Sequence, residues 1–163
     1  MEETERAGLS KQERVKKFGE VFTPQWMVEK MCDLLQENNQ NEDVYAPETT
    51  FLEPSCGDGI FVLEILRRKF QNCHKRTDYT TALQSVYAME IQADNVDKTI
   101  QNVTELCKQY FTPNKQELQI ISDHIIQADS LKVMRMLNDD NLYKTDTSCM
   151  DRHTAQYSLF VED

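Results

Sequence analysis

Apolar residues at Met27, Val28, Met31, Leu34 and Leu35 recur at i, i+1, i+4, i+7 and i+8, the rhythm of a helix packed on one side. Thr23-Pro24 before it reads as a capping side chain followed by a first-turn proline, and the polar run from Asn38 to Asp43 stops it. Phe51 and Leu52 are strand formers that Pro54 interrupts. Gly57 and Gly59 then supply the permissive backbone angles of a sharp strand-to-helix reversal. Helix formers run from Ile60 to Phe70, with Ile60, Phe61, Leu63, Leu66 and Phe70 on a broad apolar face.

A polar stretch from about Gln71 to Gln84 reads as a loop longer than a compact βα unit requires. A second strand is expected over Ser85 to Ile91 and a helix over Asn95 to Tyr110, with Val96, Ile100, Val103, Cys107 and Tyr110 at helical spacing. His124 to Asp129 is a third strand, and Leu131 to Leu137 a helix whose Met134 reads as core filler. Asp139 to Thr154 is polar and irregular, and Tyr157 to Val161 has the pattern of a fourth strand. Alternating strands and helices predict an α/β fold, a parallel sheet with helices on both faces. Residues 1–17 are expected to form a flexible polar arm ahead of one domain over 18–163.

Composition narrows the classes. The 163 residues suit one domain, and no apolar run approaches the roughly 20 residues of a membrane helix. A leader-like apolar core is absent from Met-Glu-Glu-Thr-Glu-Arg, so a cytoplasmic location without membrane contact is expected. Five scattered cysteines without a Cys-x-x-Cys pair read as reduced structural thiols. Cys73-His74 and Cys149-x-x-x-His153 make a zinc site only on paper, so no metal is expected. A net charge of -10 argues against strong nucleic-acid binding by this chain alone, since phosphate neutralisation supplies most of that affinity. The basic clusters are Lys11 to Lys17 and Arg67-Arg68-Lys69, and the second, on a helix, reads as a solvated face.

The candidate chemistry lies where the strands end. A glycine turn lets a ligand approach bare backbone, and free amides at the helix start favour an anionic or polar group. Val62 stands where the dinucleotide fingerprint has its third glycine. Glu53, Glu90 and Asp129 each end a strand, and in open α/β sheets ligands sit at those carboxyl ends. A carboxylate at the position of Glu90 suits the two hydroxyls of a ribose.

Four segments in order resemble the S-adenosylmethionine-dependent DNA methyltransferases that methylate the adenine amino group in restriction-modification systems. They are Gly19 to Pro24, Leu52 to Phe61, Tyr87 to Ile91 and Gln127 to Leu131. The resemblance implies a Rossmann-like class I methyltransferase fold with S-adenosyl-L-methionine as cofactor. It implies that Thr23 and the turn Gly57-Asp58-Gly59 hold the methionine part, with Glu53 near its amino group. Glu90 would bind the ribose hydroxyls, Ile91 would pack on the adenine ring, and Asp129 would accept from the adenine amino group. The family's catalytic Asn/Asp-Pro-Pro-aromatic motif has no counterpart: no two of the four prolines are adjacent. Glu162-Asp163, near where the motif is expected, has neither proline nor aromatic. No catalytic residue is therefore assigned. The expectation is an incomplete, cofactor-binding portion of such an enzyme, truncated or completed by a second protein chain that supplies the catalytic loop and reads DNA. The alternative is a non-catalytic cofactor-binding sensor or interaction module. A small-molecule or protein methyltransferase, or a dinucleotide enzyme, is a weaker third possibility.

Overall fold

The computed structural model describes residues 11–18 and 23–138, where three strands alternate with seven helices. In chain order they are α1 (Lys11–Phe18), α2 (Gln25–Asn38), β1 (Phe51–Glu53), α3 (Ile60–Gln71) and α4 (Arg76–Gln84). Then come β2 (Val86–Glu90), α5 (Ala93–Lys108), α6 (Lys115–His124), β3 (Ile125–Gln127) and α7 (Ser130–Asn138). The three strands form one open parallel sheet in the order β1-β2-β3, with Phe51 beside Val86 and Ala88 beside Ile125. Parallel neighbours need a crossover, and each crossover is filled by a pair of helices: α3 with α4, then α5 with α6. The expected strands at 51, 85 and 124 are all present, the second and third shorter than the sequence suggests.

Side chains alternate across a strand, and the two cores divide accordingly. Val86, Ala88 and Ile125 join the larger core with Val62, Leu66 and Phe70 of α3 and Val96, Val103 and Cys107 of α5. Met89 and Ile126 point the other way, to Val133 and Met134 of α7. Helices thus lie on both faces, although Leu52 on the α7 side is left exposed.

Several elements depart from the sequence pattern, each for a tertiary reason. Residues 76–84, expected as loop, form α4, because Tyr79, Ala82 and Leu83 pack against α3. The rings of Phe70, Tyr79, Tyr110 and Phe111 make one cluster, with Tyr79 and Phe111 centroids 4.8 Å apart. Helix α6 was not expected at all. It opens with a capping box in which Asn114 accepts from Glu117 N–H and the Glu117 carboxylate accepts from Asn114 N–H. Residues 11–18 form α1 where the pattern suggests a loose arm, and Arg14 ties it to Asp94 and Asn95 of α5 at 2.7 and 3.1 Å. On α2 only Val28 of the expected stripe is buried, together with Cys32. In α3 the buried face is carried by Val62, Ile65, Leu66 and Phe70, with Ile60, Phe61 and Leu63 at its margin.

Nor is Arg67-Arg68-Lys69 a solvated face. Both arginines pair with the buried Glu64, and Lys69 is fully buried. Among the described residues no helix is long and apolar enough to cross a membrane. The expectations for Met1 to Ser10, Gly19 to Phe22, Asp139 to Thr154, Tyr157 to Val161, Cys149 and His153 lie outside the described residues.

Candidate functional site

The turn between β1 and α3 is held by its own backbone and by the next strand. Cys56 N–H donates to the Met89 carbonyl at 2.9 Å, and Gly59 N–H returns to the Cys56 carbonyl at 2.9 Å. Gly57 and Gly59 have φ of 56° and 89°, the left-handed region that glycine enters without a Cβ penalty. The two glycines differ in surroundings. A Cβ on Gly59 would lie 2.6 Å from Thr99 Cγ2, so α5 demands a glycine there; a Cβ on Gly57 would meet nothing within 4 Å. Gly57 therefore faces open space beside the strand ends.

Glu90 is the centre of the site. Its side chain is 6% exposed, and its carboxylate accepts from Gly57 N–H (Oε2, 2.9 Å) and from Gln92 N–H (Oε1, 2.9 Å). A carboxylate has about four lone-pair directions, so the two amides leave acceptor capacity on both oxygens. Gln92, itself buried, has an Oε1 without a hydrogen-bond partner among the described residues. An unsatisfied buried acceptor is uncommon and calls for a donor. Cys56, beneath the turn, has its thiol pushed up to about 12 by burial and then by the Glu90 charge, so it stays protonated and serves as packing.

Beside this cluster lies a cavity of about 490 Å³. Pro54 and Ser55 of the turn form one wall, Ile91 at the tip of β2 another, and Ala128, Asp129, Ser130, Leu131 and Met134 close it from β3 and α7. Ile91 is 61% exposed, which for an isoleucine is an apolar platform without a partner of its own. Asp129 caps α7: its carbonyl accepts from Lys132 and Val133 N–H, and its Oδ1 accepts from Lys132 N–H at 3.2 Å. Its other oxygen stands 3.9 Å from Lys132 Nζ.

The structure thus brings Gly57, Glu90, Ile91 and Asp129 to one edge of the sheet. Glu53 is adjacent, its Oε1 accepting from Ser55 N–H at 3.0 Å, which makes it a brace for the turn. Asp58 is turned away to Lys98 of α5, 3.4 Å from its ammonium. Thr23 does not cap α2, since Pro24 occupies the cap position and no side chain bonds the free amides. The Thr23 hydroxyl is therefore not engaged in capping the helix. Gln25 Nε2 reaches Glu64 at 3.4 Å, which ties the start of α2 to α3. Pro54, Ser55, Leu131 and Met134 were not singled out by sequence as site residues. Their only signal was position, next to a strand-tip acid or inside the glycine turn. Met134 combines both roles, packing against the Met89 and Ile126 cluster while lining the cavity.

Family models, curated proteins and solved structures were each compared with the chain, and none matches it.

Proposed function

We propose that residues 23–138 are the S-adenosyl-L-methionine-binding part of an adenine-specific DNA methyltransferase of Rossmann-like class I fold, truncated or completed by a second protein chain. The observation that carries this reading is the bond from Gly57 N–H to Glu90 Oε2, which fixes the glycine turn against the tip of β2, next to Ser55 and Ile91 of the cavity wall. A cavity of about 490 Å³ falls within the range of small-molecule sites. The residues present suit an adenosine group. Ile91 and Leu131 offer apolar walls for a ring, Asp129 an acceptor for an exocyclic amine, and Glu90 acceptors for vicinal hydroxyls. Open space over Gly57 suits the amino-acid end of the ligand, and the acidic surroundings suit its positive charge. When bound, such a cofactor supplies an electrophilic methyl group.

The division of labour follows from what these residues can and cannot do. The 163 residues hold no Asn/Asp-Pro-Pro-aromatic segment to orient a flipped base. The basic run Arg67-Arg68-Lys69 is also committed elsewhere, Arg67 and Arg68 to Glu64 and Lys69 to the interior, and Arg76 pairs with Glu117. On this reading DNA is engaged through a partner chain. The missing motif equally favours a second reading, a non-catalytic module that senses the same ligand.

Calorimetry with S-adenosylhomocysteine tests the pocket. Binding is expected for the wild type and should be lost in Glu90→Ala and in Ile91→Asp, a change at an exposed position that leaves the core alone. Equal affinity in both variants sinks the proposal. Methyl transfer to DNA on adding the partner chain then separates the enzyme reading from the sensor reading.

A further inference from the structure

Helix α2 keeps an apolar face that the other described residues leave exposed. Val28 and Cys32 are buried against the core, yet Met27, Met31, Leu34 and Leu35 are all exposed. Met27, Met31 and Leu34 are spaced four and three residues apart, the alternation of a two-helix seam. Such a seam continues at Asn38, a polar end. Isolated exposed apolar residues need no explanation, whereas a contiguous row along one helix marks a contact surface.

The charges beside the seam choose the partner. Lys30 and Glu37 lie seven residues apart on the same flank, both more than half exposed, with Nζ and Oε1 3.8 Å apart within the helix. In an antiparallel pair of identical helices this flank meets its own copy, so each Lys30 faces the other helix's Glu37. In a parallel pair it meets the opposite flank, where Val28 and Leu35 lie and the partner helix offers Lys30 no charge. We propose that α2 is the docking surface for a second copy of this chain, paired antiparallel across a twofold axis beside Leu34. Lys30 and Glu37 then set the register at both ends, and Leu34 meets its own copy with Met31 on either side.

Two turns of seam are short for a free-standing coiled coil, because a short isolated helix must first form. Here α2 is already folded onto α3 and held by Gln25 and by Arg68, which bonds both the Glu29 carbonyl and Asp33. That ordering cost is therefore absent from association. The contact is small, so the dimer should be reversible and concentration-dependent. The inference stands apart from the cofactor reading, since it uses no residue of the cavity.

Sedimentation velocity of the full chain from low to high micromolar concentration tests it. The wild type should pass from monomer to dimer. Met31→Glu should remain monomeric, and Lys30→Glu and Glu37→Lys should each weaken the dimer at least about tenfold, by setting like charges face to face. Mixing the two charge variants should restore a heterodimer, because each then meets its complement. All three positions are exposed, and circular dichroism confirms that the variants keep their fold. A wild type monomeric throughout, as when the chain covers its own seam, overturns the proposal. So does a dimer indifferent to the charge changes, or a mixture that forms no heterodimer.

Discussion

The two ends of the sheet both bury a charge and treat it in opposite ways. At the amino end the Lys69 ammonium is 0% exposed and donates to the carbonyls of Ala46, Pro47 and Thr49, three acceptors for three protons. Ser85 adds its hydroxyl to the Pro47 carbonyl at 2.7 Å, and the segment before β1 is closed. At the carboxyl end Glu90 takes two backbone amides and keeps acceptor capacity, beside an unpartnered Gln92 oxygen and an open cavity. Glu117 resembles Lys69 more than Glu90. It is 1% exposed and saturated by Arg76, Thr80 and the Asn114 amide. Burial of a charge therefore does not distinguish the proposed site from the rest of the molecule; incomplete satisfaction of a buried charge does.

The largest effect expected from this contrast lies at Lys69. Lys69→Ala removes one donor group from three carbonyls and opens a cavity, which should cost roughly 3–5 kcal/mol in urea unfolding. The protein that remains folded should still bind S-adenosylhomocysteine as the wild type does. A cost below about 1 kcal/mol would mean that water replaces the ammonium freely, and the distinction between the two ends would fail.

Next in size is the exchange of the two glutamates for glutamine. Glu117→Gln should lower stability by roughly 2–3 kcal/mol, because a charged acceptor of several donors becomes neutral, and should leave ligand affinity intact. Glu90→Gln should do the reverse, abolishing ligand binding at a smaller cost in stability. Acid titration sharpens the difference. Hydrogen bonds from Arg76, then those from Asn114 and Thr80, hold the Glu117 carboxyl down at about 2, against an ordinary value of 4.5, despite its burial. A carboxyl lowered in the folded state contributes its stability in full above the ordinary value and loses it as pH falls towards the folded one. The wild-type urea midpoint should therefore drop between about pH 4.5 and 2, more steeply than that of Glu117→Gln. Parallel slopes would show that Glu117 is not the carboxylate responsible.

What the sequence shows and hides follows the same division. Gly57, Gly59 and the strand-tip positions were legible because positive φ and chain reversal act locally. The β1-β2-β3 alternation was legible for the same reason, each strand carrying its own β-branched and aromatic residues. Helix α4 was hidden because Arg76 to Gln84 has few apolar residues, and Phe70, Tyr110 and Phe111 supply its other half. Helix α6 had a readable start, Asn114-x-x-Glu117, whose second member also accepts from Arg76, 41 residues upstream. The face of α2 was misassigned because Cys32 is a small residue that the domain can bury closely. The core takes Val28 and Cys32 and leaves the methionines outside. Within the site, the strand pattern placed Gly57, Glu90 and Asp129 together and the family resemblance added Ile91, yet neither had means to aim Asp58 at Lys98. That direction depends on where α5 lies.

The smallest effects separate the two glycines of the turn. Gly59→Ala combines a positive φ with a Cβ driven into Thr99, which should cost about 2 kcal/mol, part of it recovered by adding Thr99→Ala. Gly57→Ala meets no atom within 4 Å, so only the left-handed backbone opposes it, at about 1 kcal/mol. The two variants thus rank by fit in the protein, and ligand affinity ranks them differently. Among the described residues no atom lies within 4 Å of a Cβ on Gly57, where Glu90 fixes the turn, so a methyl group there should weaken S-adenosylhomocysteine binding out of proportion to its small effect on folding. Gly59→Ala, whose methyl points into α5, should weaken binding only as far as the turn shifts. If Gly57→Ala bound as tightly as the wild type, the ligand would not lie over the turn, and the open face of Gly57 would reflect backbone conformation alone.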